Sequence, residues 1–381
     1  MRQPAGLVTS AIALCLLGAQ PLAAQGTLSA LGFGYPVGGT STRAAATAGA
    51  FGEFDLMSPI NPAVLGGLSR TFMTAQTEPE FRTLRFGAVQ EKTTAQRVPL
   101  VMVAFPLPHD LGVAISASTF LDRSYSTVTR GNASISGSTA TTTDRTDVRG
   151  AIGDLRAAVG WRINEKFSVG AAGHLFTGDH LVAISRVFDD TTKFGSVNDS
   201  SRAVYFGTAL SVGGEWRLRK GLAAMASYRK GGGMNSRVAD TVKTNANVPD
   251  RMGVGLRYDG IPGSTFALGV DKQTWSRLNA LGSAAVQAHD GTNWHVGAET
   301  AGPKMRDVPV LLRAGFARNS LPFGVNSNVV NETRLSFGFG LPVAQDNGSI
   351  DFSLQRANRT LIGGAVKESA WMLGVGVQIR P

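Results

Sequence analysis

Near the C-terminus Trp371, Leu373, Val375, Val377 and Ile379 fall on one parity, and Met372, Gly374, Gly376, Gln378 and Arg380 on the other. Period-two alternation with one uniformly apolar face describes a β-strand whose two sides meet different surroundings. The pattern recurs in Leu335, Phe337, Phe339 and Leu341, in Met252, Val254, Leu256 and Tyr258, and in Leu155, Ala157, Val159 and Trp161, each set alternating with small, polar or charged residues. Counted back from the C-terminus, it predicts strands near 369–380, 349–357, 333–342, 308–317, 292–300, 264–275, 251–259, 222–230, 203–218, 166–176, 152–163, 111–122, 98–106 and 81–91, about 14 in all.

Alternation alone fits a soluble antiparallel sandwich as well as a membrane barrel. The connections separate the two. Short turns at 106–112, 164–166, 219–221, 259–263, 301–307 and 343–348 alternate with long polar connections at 123–150, 177–202, 231–250, 276–291, 318–331 and 358–369. A barrel in an outer membrane has tight turns at one end and long loops at the other, whereas a sandwich has no reason to sort its connections. The aromatics sort as well: Trp161, Trp216 and Tyr258 lie at the short-turn ends of their strands, and Trp294 and Trp371 at the long-loop ends, as two interfacial girdles require. The fold class is therefore all-β, a transmembrane antiparallel outer-membrane β-barrel of about 14 strands with both ends on the periplasmic side.

The start of the chain agrees with export. Arg2, an apolar run over 5–17 and the small residues of "QPLAAQG" have the three parts of a secretory signal peptide, placed at 1–24. The single cysteine, Cys15, lies inside it, so the mature chain is expected to have neither disulfides nor thiolate metal ligands. Lys and Arg number 37 against 27 Asp and Glu, a net charge of +10, yet basic runs interleaved with aromatics are missing and nucleic acid is not an expected partner. The five histidines show no metal spacing, there is no Gly-x-Ser-x-Gly elbow and no organised Ser/His group is legible, so neither cofactor nor enzymatic activity is expected. The closing "MLGVGVQIRP" resembles the insertion signal of outer-membrane barrels, which implies the barrel-assembly machinery and outer-membrane lipids as partners.

Residues 25–80 fit neither the signal nor the strands. They offer a small-residue helix over 42–50 and then Asn61-Pro62, where proline removes a backbone donor and pushes its predecessor to an extended conformation. A compact plug in the lumen accounts for such a segment. "RAAATAGAFGEFDLMSPINPAVLGGL", with Arg43, Ala44, Gly49, Ala50, Phe51, the Asn61-Pro62-Ala63 triplet and Leu65, resembles the N-terminal hatch of the FadL/TodX family of outer-membrane transport proteins. The resemblance implies a 14-stranded barrel (81–381) plugged by its N-terminus (25–80), a third strand that bends the wall, and passage of long-chain fatty acids or other hydrophobic small molecules. PorV-like relatives carry a similar hatch and imply instead a secretion or assembly role with a protein partner. A general diffusion porin is the third reading, against which the plug argues.

Substrate contacts are expected between hatch and wall. In "VPLVMVAF" (98–105) both parities are apolar, and Val101, Val103 and Phe105 are assigned to the lumen. Phe51, Phe54, Leu56, Met57 and Ile60 are their candidate partners, with Asn61, Pro62 and Ala63 marking the hatch. The pocket so formed suits an acyl or aromatic ligand, or the same residues simply fix plug to wall. Arg156, Arg162, Arg251, Arg257, Arg313 and Arg334 share the lumen parity with Asp154, Asp259, Asp271 and Glu299. They fit either a carboxylate head group or a salt-bridge lattice.

Overall fold

The computed structural model describes residues 34–380, apart from 87–88, 136–137, 239–240, 282–286, 306–307, 326–327, 344–346 and 362–365. The expected signal peptide and Cys15 lie outside the described residues. The strands are β1 (Phe72–Thr77 and Glu80–Phe86), β2 (Val89–Ala95 and Leu100–Leu107), β3 (Leu111–Asp122 and Tyr125–Ile135), β4 (Ser138–Arg162), β5 (Phe167–Phe188), β6 (Val197–Arg219) and β7 (Leu222–Val238). They continue as β8 (Thr241–Asn247 and Arg251–Ile261), β9 (Ser264–Gln273), β10 (Gly291–Met305), β11 (Val308–Val325), β12 (Asn328–Val343), β13 (Gly348–Leu361) and β14 (Val366–Ile379).

Each strand pairs antiparallel with its neighbour in sequence, and β14 closes on β1 through Val375↔Thr77 and Trp371↔Phe81, giving a closed barrel of 14 strands. Closure pairs the membrane-crossing strands on both sides, which a bilayer demands because lipid offers no hydrogen-bond partners. The apolar parity points outward: Leu210 is 70% exposed, Ile115 63% and Phe337 57%, as are the aliphatic and aromatic residues around the whole wall. An apolar belt of that extent is stable only against hydrocarbon, so the exterior is a transmembrane surface. Trp161, Trp216, Tyr258, Trp294 and Trp371 all face outward from the strand ends where the two girdles are expected.

The long connections differ from expectation. Much of 123–150 and 177–202 continues as strand, and β4, β5 and β6 run 25, 22 and 23 residues. A tilted membrane crossing takes only about 9–11 residues, so roughly half of each strand stands above the bilayer. There water wets both faces and the hydrophobic alternation vanishes, while Thr and Val still favour the pleated conformation. The first strand also opens earlier than expected, at Phe72 in place of 81, with Pro79 interrupting it. In β3 a register irregularity between Thr119 and Leu121 is followed by a break before Tyr125, and Tyr35 and Pro36 pair onto Asp122 and Leu121 beside it.

Candidate functional site

Residues 34–71 run through the lumen and touch the inward face of the wall on all sides. Ser41 caps a five-residue helix, Thr42–Ala46, by accepting from the Ala44 N–H at 3.0 Å, and its hydroxyl donates to Asp55. The helix stops short of the expected residue 50 because Ala48 and Gly49 turn left-handed, with φ of 53° and 90°. So short a helix has no independent stability. It holds because Ala44 and Ala46 are fully buried against the wall.

A set of polar ties fixes this segment in place. Arg43 pairs with Glu299 of β10 at 2.7 Å and with Asp55 at 3.5 Å. Burial opposes the Arg43 charge, but Glu299 and Asp55 outweigh it and raise the pKa. Glu53 accepts from Arg251 of β8 at 2.8 Å and from the Ser227 hydroxyl of β7 at 3.0 Å. Gln76 of β1 accepts from the Thr42 N–H at 2.7 Å and donates to the Thr40 carbonyl at 2.6 Å. Both ring nitrogens of His295 face acceptors, the Ala48 carbonyl at 2.8 Å and Asp271 at 3.1 Å.

Asn61-Pro62-Ala63 forms the second anchor. The Asn61 side-chain oxygen accepts from the Ala63 N–H at 3.0 Å and so caps the 3-10 turn Pro62–Gly67, while its amide donates to the Ala226 carbonyl at 3.4 Å. Pro62 stands at the first helical position, where its missing N–H is no loss. The wall meets this turn with four adjacent glycines. A Cβ on Gly112 would overlap Leu65, on Gly160 or Gly170 the Pro62 carbonyl, and on Gly213 the Asn61 side chain. The glycines of the inward parity thus clear room for the N-terminal segment at van der Waals distance.

Phe51 and Phe54 are buried with Val64, Met225 and Ala267, while Met57 packs on a second cluster of Leu65, Phe72, Leu100, Met102 and Ala114. Leu56 touches both clusters, and Ile60 is half-buried and lines the lumenal cavity described below. Val101, Val103 and Phe105 do not take part: Val101 and Phe105 are exposed on the outer face, and all three pair with the outward residues Ala117, Ile115 and Val113. Leu100, Met102 and Ala104 face the lumen instead. With both parities apolar the stretch carries no directional signal, and the choice falls to its neighbours: Gly112 and Ala114 of β3 must point inward to admit Leu65.

The inward arginines chiefly form a lattice. Arg251 is held by Glu53, Arg313 by Glu299 at 2.6 Å and by Asp351, and Arg334 by Glu332 at 2.6 Å and by the Tyr35 hydroxyl. Arg257 lies over the Phe54 ring, 5.6 Å from its centroid. Arg156 is different, since its Nε and Nη2 are buried without a partner.

Between the N-terminal segment and the outer end of the barrel lies a cavity of about 160 Å³, lined by Ile60, Phe120, Trp275, Arg229, His174 and Asp271 among others. Its aromatic side was missed in the sequence: Phe120, Phe176, Tyr205, Trp275 and Leu278 form one buried cluster, with Phe120 and Trp275 stacked at 5.4 Å. Arg229 lies over the Phe120 and Phe176 rings, 5.3 and 5.6 Å from their centroids. The signal was available, because Phe120 and Phe176 carry a large ring on the inward parity, where the other strands place small or polar residues. The structure also assembles a Ser/His group that the sequence concealed. His174 Nδ1 lies 3.0 Å from the Asp154 carboxylate and His174 Nε2 lies 2.9 Å from the Ser211 hydroxyl, the partners standing 20 and 37 residues away.

A closed 14-stranded antiparallel barrel with an apolar outer belt, against whose inward face residues 34–71 pack, defines an outer-membrane β-barrel fold. Among solved structures the chain is similar to a Pseudomonas aeruginosa FadL homologue, with a TM-score of 0.63 at 11% identity over 92% of this chain and 99% of that one. It is similar also to the CymD monoaromatic hydrocarbon channel, with a TM-score of 0.58 at 13% identity over 91% and 98% of the two chains. The Pseudomonas putida toluene transporter TodX matches with a TM-score of 0.58 at 10% identity over 91% and 99%. No protein-family model and no curated protein matches the sequence, so the likeness is one of fold.

Proposed function

We propose that this protein is an outer-membrane channel for the uptake of hydrophobic small molecules, with residues 34–71 as the hatch that controls passage. The observation that carries this reading is the partly aromatic cavity between that segment and the wall of a closed barrel. An open lumen would pass hydrophilic solutes by size. A lumen filled by its own chain and tied to the wall by Arg43, Glu53 and Asn61 passes only what can enter the cavity and displace or skirt the segment. The free space, about 160 Å³, is on the scale of the roughly 150 Å³ apolar cavity that accommodates benzene. A single-ring hydrophobe matches this space in size, whereas a long acyl chain requires the segment to move. The names of the structural neighbours, a toluene transporter and a monoaromatic hydrocarbon channel, support the same substrate class. The irregularity in β3 at Thr119–Leu121 is the place for a sideways exit into the bilayer. Residues 1–24 act as the cleaved export signal.

The test is uptake by proteoliposomes of a labelled monoaromatic, a long-chain fatty acid and a hydrophilic sugar. Uptake of the hydrophobes alone, with selectivity lost on deleting residues 25–71, is the expected result. Sugar entry into the intact protein would make it a porin, and no flux of any solute would favour a scaffold for a protein partner.

A further inference from the structure

We infer that Ser211, His174 and Asp154 form a nucleophilic triad in the lumen that hydrolyses small hydrophobic carboxylic esters. The three residues stand on the adjacent strands β6, β5 and β4, all on the inward parity and all lining the same cavity. Asp154 accepts from His174 Nδ1 through both carboxylate oxygens, at 3.0 Å each, which fixes the ring tautomer. His174 Nε2 is thereby left as an acceptor, and the Ser211 hydroxyl fills it at 2.9 Å. A nucleophile held by a base that is itself oriented by a carboxylate is the arrangement acyl transfer needs, whatever the fold. Rigid paired strands hold it in register.

The surroundings supply the remaining parts. Backbone N–H groups of a barrel wall are engaged in the strand ladder, so an oxyanion donor must be a side chain. Arg229 is the direct cross-strand partner of Ser211, lines the cavity, and has a buried Nε without a hydrogen-bond partner. Phe120 and Trp275 form an apolar wall of the same cavity, whose size suits an aryl ester or a short acyl ester. In the reaction the Ser211 oxygen bonds to the ester carbonyl carbon as its proton passes to His174 Nε2. The oxyanion meets Arg229, and collapse expels the alcohol, which takes the proton from His174. Water then attacks the acyl-serine with His174 as base. The carboxylic acid leaves, and the proton held by His174 returns to the Ser211 oxygen.

The full-length protein, refolded in detergent, is treated with a phenyl-bearing fluorophosphonate and located by peptide mass spectrometry, and p-nitrophenyl butyrate hydrolysis is followed in parallel. One adduct on Ser211 and turnover that disappears in Ser211→Ala and His174→Ala are expected, with Asp154→Asn slowed about 10³-fold or more and its pH profile altered. Heat-modifiable migration on gels reports whether each barrel is folded. No adduct on Ser211 in a folded barrel, or hydrolysis unchanged in Ser211→Ala, overturns the proposal. Ser211→Cys gives an independent reading. Its alkylation by iodoacetamide should fall at least tenfold when His174→Ala is added, and equal rates would show that His174 does not activate this position. None of these readouts depends on flux, so they stand or fall separately from the uptake reading.

Discussion

Replacing Gly170 by alanine tests whether the wall glycines hold the N-terminal segment in place. A methyl there would be driven into the Pro62 carbonyl and the following Ala63 nitrogen, both backbone atoms that cannot rotate aside. Overpacking of this kind costs typically about 1–3 kcal/mol. What opposes undocking of the turn is chiefly the burial of Leu65 and Val64, worth at most about 3–6 kcal/mol together. A penalty of ~2 kcal/mol is therefore well under what docks the turn, and it raises the undocked fraction about 30-fold at tenfold per 1.4 kcal/mol. The only cysteine lies within the expected signal peptide, so a thiol introduced by Val64→Cys reports on undocking alone. Alkylation in the Gly170→Ala background should rise about 30-fold. Gly173→Ala is the control, since it lies three residues along the same strand, where a Cβ meets nothing within 4 Å. If the two alanine variants label within a factor of two of each other, close packing at the glycines does not hold the segment.

Glu53→Gln leaves Arg251 only its longer ion pair with Asp271 at 3.8 Å and should destabilise the docked segment by about 1–3 kcal/mol, while adding Arg251→Met should restore most of it, as judged by protease protection of the N-terminus. Phe51→Ala removes a ring that is 1% exposed and should lower the unfolding free energy in detergent by about 3–5 kcal/mol. Trp275→Ala enlarges the aromatic side of the cavity and should shift uptake from single-ring toward two-ring compounds in the proteoliposome assay. Leu210→Arg places a charge on an outward residue that is 70% exposed and should cost about 2–4 kcal/mol of insertion free energy in refolding into vesicles if that belt faces lipid.

Alternation along the chain determined the barrel class, because the side-chain period of a strand is two and a bilayer demands one apolar face. It also placed the short turns at 164–166 and 219–221 and the outward aromatics near the strand ends, and Asn61-Pro62 announced a local break that becomes a capped 3-10 turn. Three things were left to the tertiary structure. The facing of Val101, Val103 and Phe105 was one, since a stretch apolar on both parities takes its direction only from the strands it pairs with. The extent of β4, β5 and β6 beyond the membrane was another, because water on both faces erases the periodic signal. The third was the company of side chains distant in sequence. Asp154, His174 and Ser211 meet because the registers of β4 on β5 and of β5 on β6 align them, and Arg43 meets Glu299 because the N-terminal segment packs on the wall; no local pattern encodes either contact.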